Sequence, residues 1–108
     1  MSPIPTTVKV GYRDYAIIDW NPAHAARASR YGECVHPERE IRVSTEHGYR
    51  EAAQTLLHEI YHAIFASFPV YEQDAEERIV TGLSACFAAV WRDNPGVIAW
   101  INEGLTAQ

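Results

Sequence analysis

His58-Glu59-Ile60-Tyr61-His62 is an H-E-x-x-H motif, and it lies inside the apolar run from Thr55 to Ala63. An α-helix turns about 100° per residue, so two histidines four apart lie about 40° from each other on one face. Their imidazoles can then bind one metal ion together. Glu59, next to the first of them, can reach a water on that ion as general base. Leu56, Leu57, Ile60, Ala63 and Ile64 give the helix a second face to pack. The chemistry this pattern points to is zinc-dependent hydrolysis, of peptide bonds before other substrates. The alternative is a surface helix with two solvated histidines, and Leu57 and Ile60 argue against it by bracketing the motif.

The 108 residues make one domain, 1–108, with one modest core. An apolar content of 47%, with six Gly and six Pro, belongs to a folded chain. The net charge of −5 offers no basic footprint, which argues against nucleic acid as a partner. Much of the acidic excess is local, in Glu72, Asp74, Glu76 and Glu77, where a divalent ion would offset part of it. Met1 to Thr7 is polar and Pro-rich, and no apolar run approaches the ~20 residues of a membrane span. A cytoplasmic chain with no membrane partner is expected. Cys34 and Cys86 form no C-x-x-C, so free thiols are expected, with Cys86 a small core residue and neither a nucleophile.

Residues 8–20 are rich in β-branched and aromatic types and predict one strand, or a strand with a turn near Gly11–Asp14. Asn21 and Pro22 supply a cap and a first helical residue for a short helix from Ala23 to Arg30. Two short strands follow, Tyr31 to Val35 and Glu40 to Ser44, around the turn His36-Pro37-Glu38-Arg39. Alternation of Ile41 and Val43 with Arg42 and Ser44 predicts a half-buried antiparallel strand. Ser44 or Thr45 can cap the long motif helix, about 48–67, which Pro69 stops. A connector from Phe68 to Gln73 leads to a second helix, about 74–92, whose core stripe is Val80, Leu83, Phe87 and Val90 or Trp91. Asn94-Pro95-Gly96 ends it, and a short helix over about 95–103 closes the chain. The fold class is α+β: an antiparallel sheet of about three strands, covered by the motif helix and a supporting helix.

A catalytic zinc site takes three protein ligands and keeps one position open. The third ligand should come from the acidic start of the second helix, at Glu77 or, as the alternative, Glu76. H-E-x-x-H followed by a Glu on the next helix resembles the gluzincin arrangement of zinc peptidases. Several gluzincins place that Glu in a pattern close to E-x-x-[small apolar]-[Asp/Asn]-x-[Phe/Leu]-Ala. Counting from Glu77 gives Val80, Thr81, Leu83 and Ser84 at those places, a better match than counting from Glu76. Thr81 departs from the acidic or amide residue found there in many gluzincins. From Glu40 to Pro95, including Asp93-Asn94-Pro95, the layout is similar to small phage or prophage metallopeptidases of the immunity-repressor protease group. That resemblance implies a minimal zincin-like fold, Zn²⁺ as cofactor and a protein or peptide substrate such as a repressor. It also implies that an extended substrate adds to a strand, for which Glu40 to Ser44 is the candidate.

His36 could bind substrate or stabilise an oxyanion, or be a solvated turn residue; His24 and His47 read as surface residues. Tyr31 and Tyr71 are candidate phenol donors, and Tyr61 reads as a packing residue. Trp20, Trp91 and Trp100 read as core or interface anchors, with Trp100 and Ile101 a possible homodimer contact. Two rival functions stand beside the peptidase. One is a non-catalytic zinc-stabilised protein-binding module, with Cys34, His36 or another side chain closing the metal site. The other is a small helical interaction protein without metal.

Overall fold

The computed structural model describes residues 1–67 and 75–107, with residues 75–77 described by their backbone alone. Val8 and Val10 of β1 (Thr7–Val10) face inward, as do Tyr15 and Ile17 of β2 (Arg13–Asp19). The two strands form an antiparallel hairpin with Val10 opposite Arg13, joined by the two-residue loop Gly11-Tyr12. Gly11 has φ +66°, a left-handed setting that glycine takes without a Cβ penalty. The expected turn is therefore real, and the 8–20 stretch is two strands.

Asn21 caps α1 (Pro22–Ala28), its Oδ1 accepting from Ala23 N–H at 2.9 Å, and Pro22 opens the helix. The chain then enters β3 (Gly32–Val35) and returns through β4 (Glu40–Val43). Arg39 ends the turn between them in the left-handed region, and its N–H donates to His36 O at 3.1 Å.

The sheet differs from expectation in number and in direction. It has four strands in the order β1-β2-β4-β3, and the β2–β4 pair is parallel. A parallel neighbour needs a crossover of a dozen or more residues. Here α1 and β3 supply it, and β4 lands inside the sheet with Ile41 and Val43 fully buried. Alternation in β4 reports its two faces and not the direction of its neighbours. Ser44 and Thr45 do not cap the next helix: the Thr45 hydroxyl donates to Asp19 at 2.9 Å, and Ser44 N–H donates to Tyr31 O at 2.7 Å.

Three helices cover one face of the sheet. The motif helix α2 (Tyr49–Ser67) packs on β3 and β4, α3 (Ala75–Asp93) packs on β1, and α4 (Pro95–Leu105) packs on α2. Val90 is buried on α3 and Leu83 and Phe87 adjoin the core, whereas Val80 and Trp91 are exposed, contrary to the expected stripe. Trp100 and Ile101 are each only 4% exposed, so the proposed dimer contact is instead part of the chain's own core against α2. The expected Pro69 stop and the connector Phe68 to Gln73 lie outside the described residues. No helix among the described residues is long and apolar enough to cross a membrane.

Candidate metal centre

Helix α2 presents two faces because its apolar residues recur at helical spacing. Ala52, Ala53, Leu56, Ile60, Ala63 and Ile64 are fully buried and form the core side. Glu51, Gln54, Thr55, His58, Glu59 and His62 line a cleft on the other side. Glu59 and Thr55 sit where the two faces meet, which leaves Glu59 only 6% exposed while His58 and His62 stay open to the cleft.

The opposite wall is β3 with the residues on either side of it. Tyr31, Gly32, Glu33, Cys34 and His36 line the same cleft, whose volume is about 820 Å³. β3 approaches α2 closely because position 32 is glycine. A Cβ there would run into Thr55 Cγ2, lie 3.0 Å from Arg42 O and lie 3.2 Å from Glu59 Oε2.

The two edges of the sheet are treated differently. On β1 the outward N–H of Lys9 donates to Asn94 Oδ1, and Lys9 O accepts from Asn94 Nδ2, both at 2.8 Å. One side chain between α3 and α4 thus blocks that edge. On β3 the Ser44-to-Tyr31 bond sets the alternation. It makes Glu33 and Val35 the residues bonded to β4 and turns the amide groups of Gly32 and Cys34 outward along the edge. The strand expected to receive an extended ligand, Glu40 to Ser44, cannot do so, because β4 is paired on both sides. The available edge is β3.

His58 Nε2 and His62 Nε2 stand 3.2 Å apart, with ring centroids at 4.9 Å and planes at 70°. Zinc–nitrogen bonds of about 2.0–2.1 Å meeting tetrahedrally hold two nitrogens roughly 3.3 Å apart, so the pair fits one ion. The same spacing suits one N–H···N hydrogen bond between neutral rings, which holds the nitrogens convergent without an ion. Burial raises the Glu59 carboxyl above its ordinary value; His58, His62 and Arg30 pull it down, and Glu33 adds to the rise.

No protein-family profile, curated protein or solved structure matches this chain. Among the described residues, no group of three or more His, Cys, Asp or Glu could hold a metal ion. Glu76 and Glu77 fall in the first turn of α3, and their side chains lie outside the described residues, as does Tyr71.

Of the other histidines, His24 and His47 are exposed as expected, His47 lying against Tyr31 with ring centroids 4.4 Å apart. Tyr61 stacks on Phe87 at 5.2 Å, a packing role. His36 is exposed but is not merely a solvated turn residue, because it lines the cleft beside Cys34. Both cysteines are free. Burial raises the Cys34 thiol to about 11, with the Glu59 charge adding to the rise. Sequence reasoning missed Gly32 as a cleft residue and named Cys34 only as a side chain that could close a structural metal site. The available signal was a glycine inside a strand, which often marks a close backbone approach.

Proposed function

We propose that the protein is a zinc-dependent metallopeptidase in which His58, His62 and an acidic residue at the start of α3 hold the ion and Glu59 is the general base. Glu77 is the preferred third ligand and Glu76 the alternative. The observation that carries this reading is the 3.2 Å convergence of the two Nε2 atoms beside a buried carboxylate in an open cleft. A bound zinc ion would supply a Lewis acid that acidifies water and polarises a substrate carbonyl.

The protein's own groups do the rest. Glu59, desolvated against β3 and raised in proton affinity, accepts a proton from the attacking water and returns it to the leaving nitrogen. The outward amide groups of Gly32 and Cys34 hold an extended peptide along the free edge of β3, across the cleft from the motif helix. The resemblance to phage immunity-repressor proteases makes a repressor or another phage-encoded protein the substrate to try first. With Cys34 and Cys86 both free, a reducing compartment such as the cytoplasm suits the chain.

A second reading has one observation in its favour: Cys34 and His36 line the same cleft as the histidine pair. A zinc-stabilised binding module would recruit one of them to close the coordination sphere. Zinc quantification combined with a proteome-wide cleavage screen, wild type against Glu59→Gln, separates the two. Bound zinc with cleavage lost in Glu59→Gln supports the peptidase. Bound zinc with no cleavage by either protein, and a Zn–S ligand seen by X-ray absorption, supports the module.

A further inference from the structure

We propose that His36 is the hydrogen-bond donor for the oxyanion of a peptide carbonyl under attack in the cleft, and that Tyr15 is the positioning residue that fixes its ring. This deepens the peptidase reading and rests on it. His36 stands where β3 runs into the β3–β4 turn, on the wall that faces the motif helix across the cleft.

The surroundings of Nδ1 decide which nitrogen carries the proton. Tyr15 Oη lies 3.4 Å from His36 Nδ1, and Cys34 Sγ lies 3.6 Å from the same atom. Tyr15 is fully buried on the inner face of β2, and its ring meets the imidazole edge-on at 6.4 Å. Burial raises the phenol and the thiol alike, so each keeps its proton at neutral pH and each can donate. Arg13, next to the phenol, has only donors and does not compete for the phenolic proton. In the proposed arrangement Nδ1 accepts from these groups, and the proton of the neutral ring sits on Nε2. A buried tyrosine hydroxyl thus converts a histidine on the cleft wall into an oriented N–H donor.

The reaction this serves balances without His36 changing its proton count. Water oxygen bonds to the carbonyl carbon, the carbonyl π pair moves onto oxygen, and Glu59 takes the water proton. The carbon–nitrogen bond then breaks as Glu59 delivers that proton to nitrogen, leaving a carboxylic acid and an amine. Nε2–H of His36 donates to the oxygen while it carries charge. Loss of one such donor typically costs about 10²–10³ in kcat.

Two measurements test this, and the first needs neither zinc nor substrate. Long-range ¹H–¹⁵N correlation on the zinc-free protein at pH 8 should show His36 protonated at Nε2 and bare at Nδ1, with Tyr15→Phe giving a mixture. In the zinc-loaded protein, His36→Ala should lower kcat about 10²–10³-fold. It should leave zinc content and KM near wild type and weaken a phosphonate peptide mimic of the tetrahedral species by the same factor. His36→Gln, which keeps an N–H donor, should recover part of the loss. A proton on Nδ1, or His36→Ala cleaving at the wild-type rate, overturns the proposal. Failure of the peptidase reading looks different: the wild type then shows no zinc-dependent cleavage although His36 keeps its Nε2–H form, and the donor role falls with it. If Tyr15→Phe does not fold, the His36 pair decides alone, since its side chain lies at the exposed turn.

Discussion

Gly32 of β3 and Glu59 of α2 meet so closely that a Cβ on residue 32 would lie 3.2 Å from Glu59 Oε2 and would run into Thr55 Cγ2. The edge strand can therefore seal one side of the carboxylate from water while its own amides stay open to the cleft. Desolvation of Glu59, the largest cause of its raised proton affinity, depends on this contact and on its place at the border of the two faces of α2.

Gly32→Ala should therefore force β3 away from α2 and destabilise the fold by about 1–3 kcal/mol. Gly96→Ala is the control, since a Cβ there meets nothing within 4 Å and the residue is helical. It should be neutral or stabilising by up to about 1 kcal/mol. Urea unfolding of the two variants checks the contrast, and equal midpoints would refute the close approach.

Glu59→Gln should bind zinc in wild-type amount and lose hydrolysis by about 10²-fold or more, because the amide cannot accept the proton from water. Inductively coupled plasma analysis and a peptide cleavage assay on one preparation check both halves. A variant as active as wild type would remove Glu59 from the mechanism.

His58→Ala and His62→Ala should each abolish zinc binding while leaving the zinc-free fold within about 0.5 kcal/mol of wild type, since both rings are exposed. Circular dichroism melts with chelator present measure the second effect. Substantial unfolding of the zinc-free variants would mean that the pair is structural.

Glu77→Ala should lose zinc more severely than Glu76→Ala. Competition with a chromophoric chelator ranks the two, and the reverse order would move the third ligand to Glu76.

Cys34 should resist alkylation at pH 8, because a thiol raised to about 11 is almost wholly protonated there. Iodoacetamide labelling followed by peptide mapping should show its rate rising roughly tenfold per pH unit up to that value. Between the ordinary 9.0 and about 11 the folded chain holds a proton that the unfolded chain releases, so stability falls as pH rises through that window. Cys34→Ala should flatten that part of the curve.

The α2 register, the convergence of His58 and His62 and the burial of Ile60 were all legible in the sequence, because each depends on local helical geometry and on one apolar stripe. The Asn21-Pro22 start of α1 and the turn from His36 to Arg39 were legible for the same reason, since capping and turn chemistry act over a few residues. What the sequence could not fix were the relations between distant segments. Period-2 alternation marks the two faces of β4 but leaves open that β2 runs parallel to it, which made an internal strand look like a docking edge. Asn94 reads as a helix terminator, yet its amide blocks the β1 edge from 85 positions away. Tyr15 and His36, 21 positions apart, meet only because the crossover brings the β3–β4 hairpin against β2. Local spacing decided that His58 and His62 converge on one face of α2; the order of strands decided which edge stayed open beside them, because strand pairing depends on long-range burial that no short stretch of sequence contains.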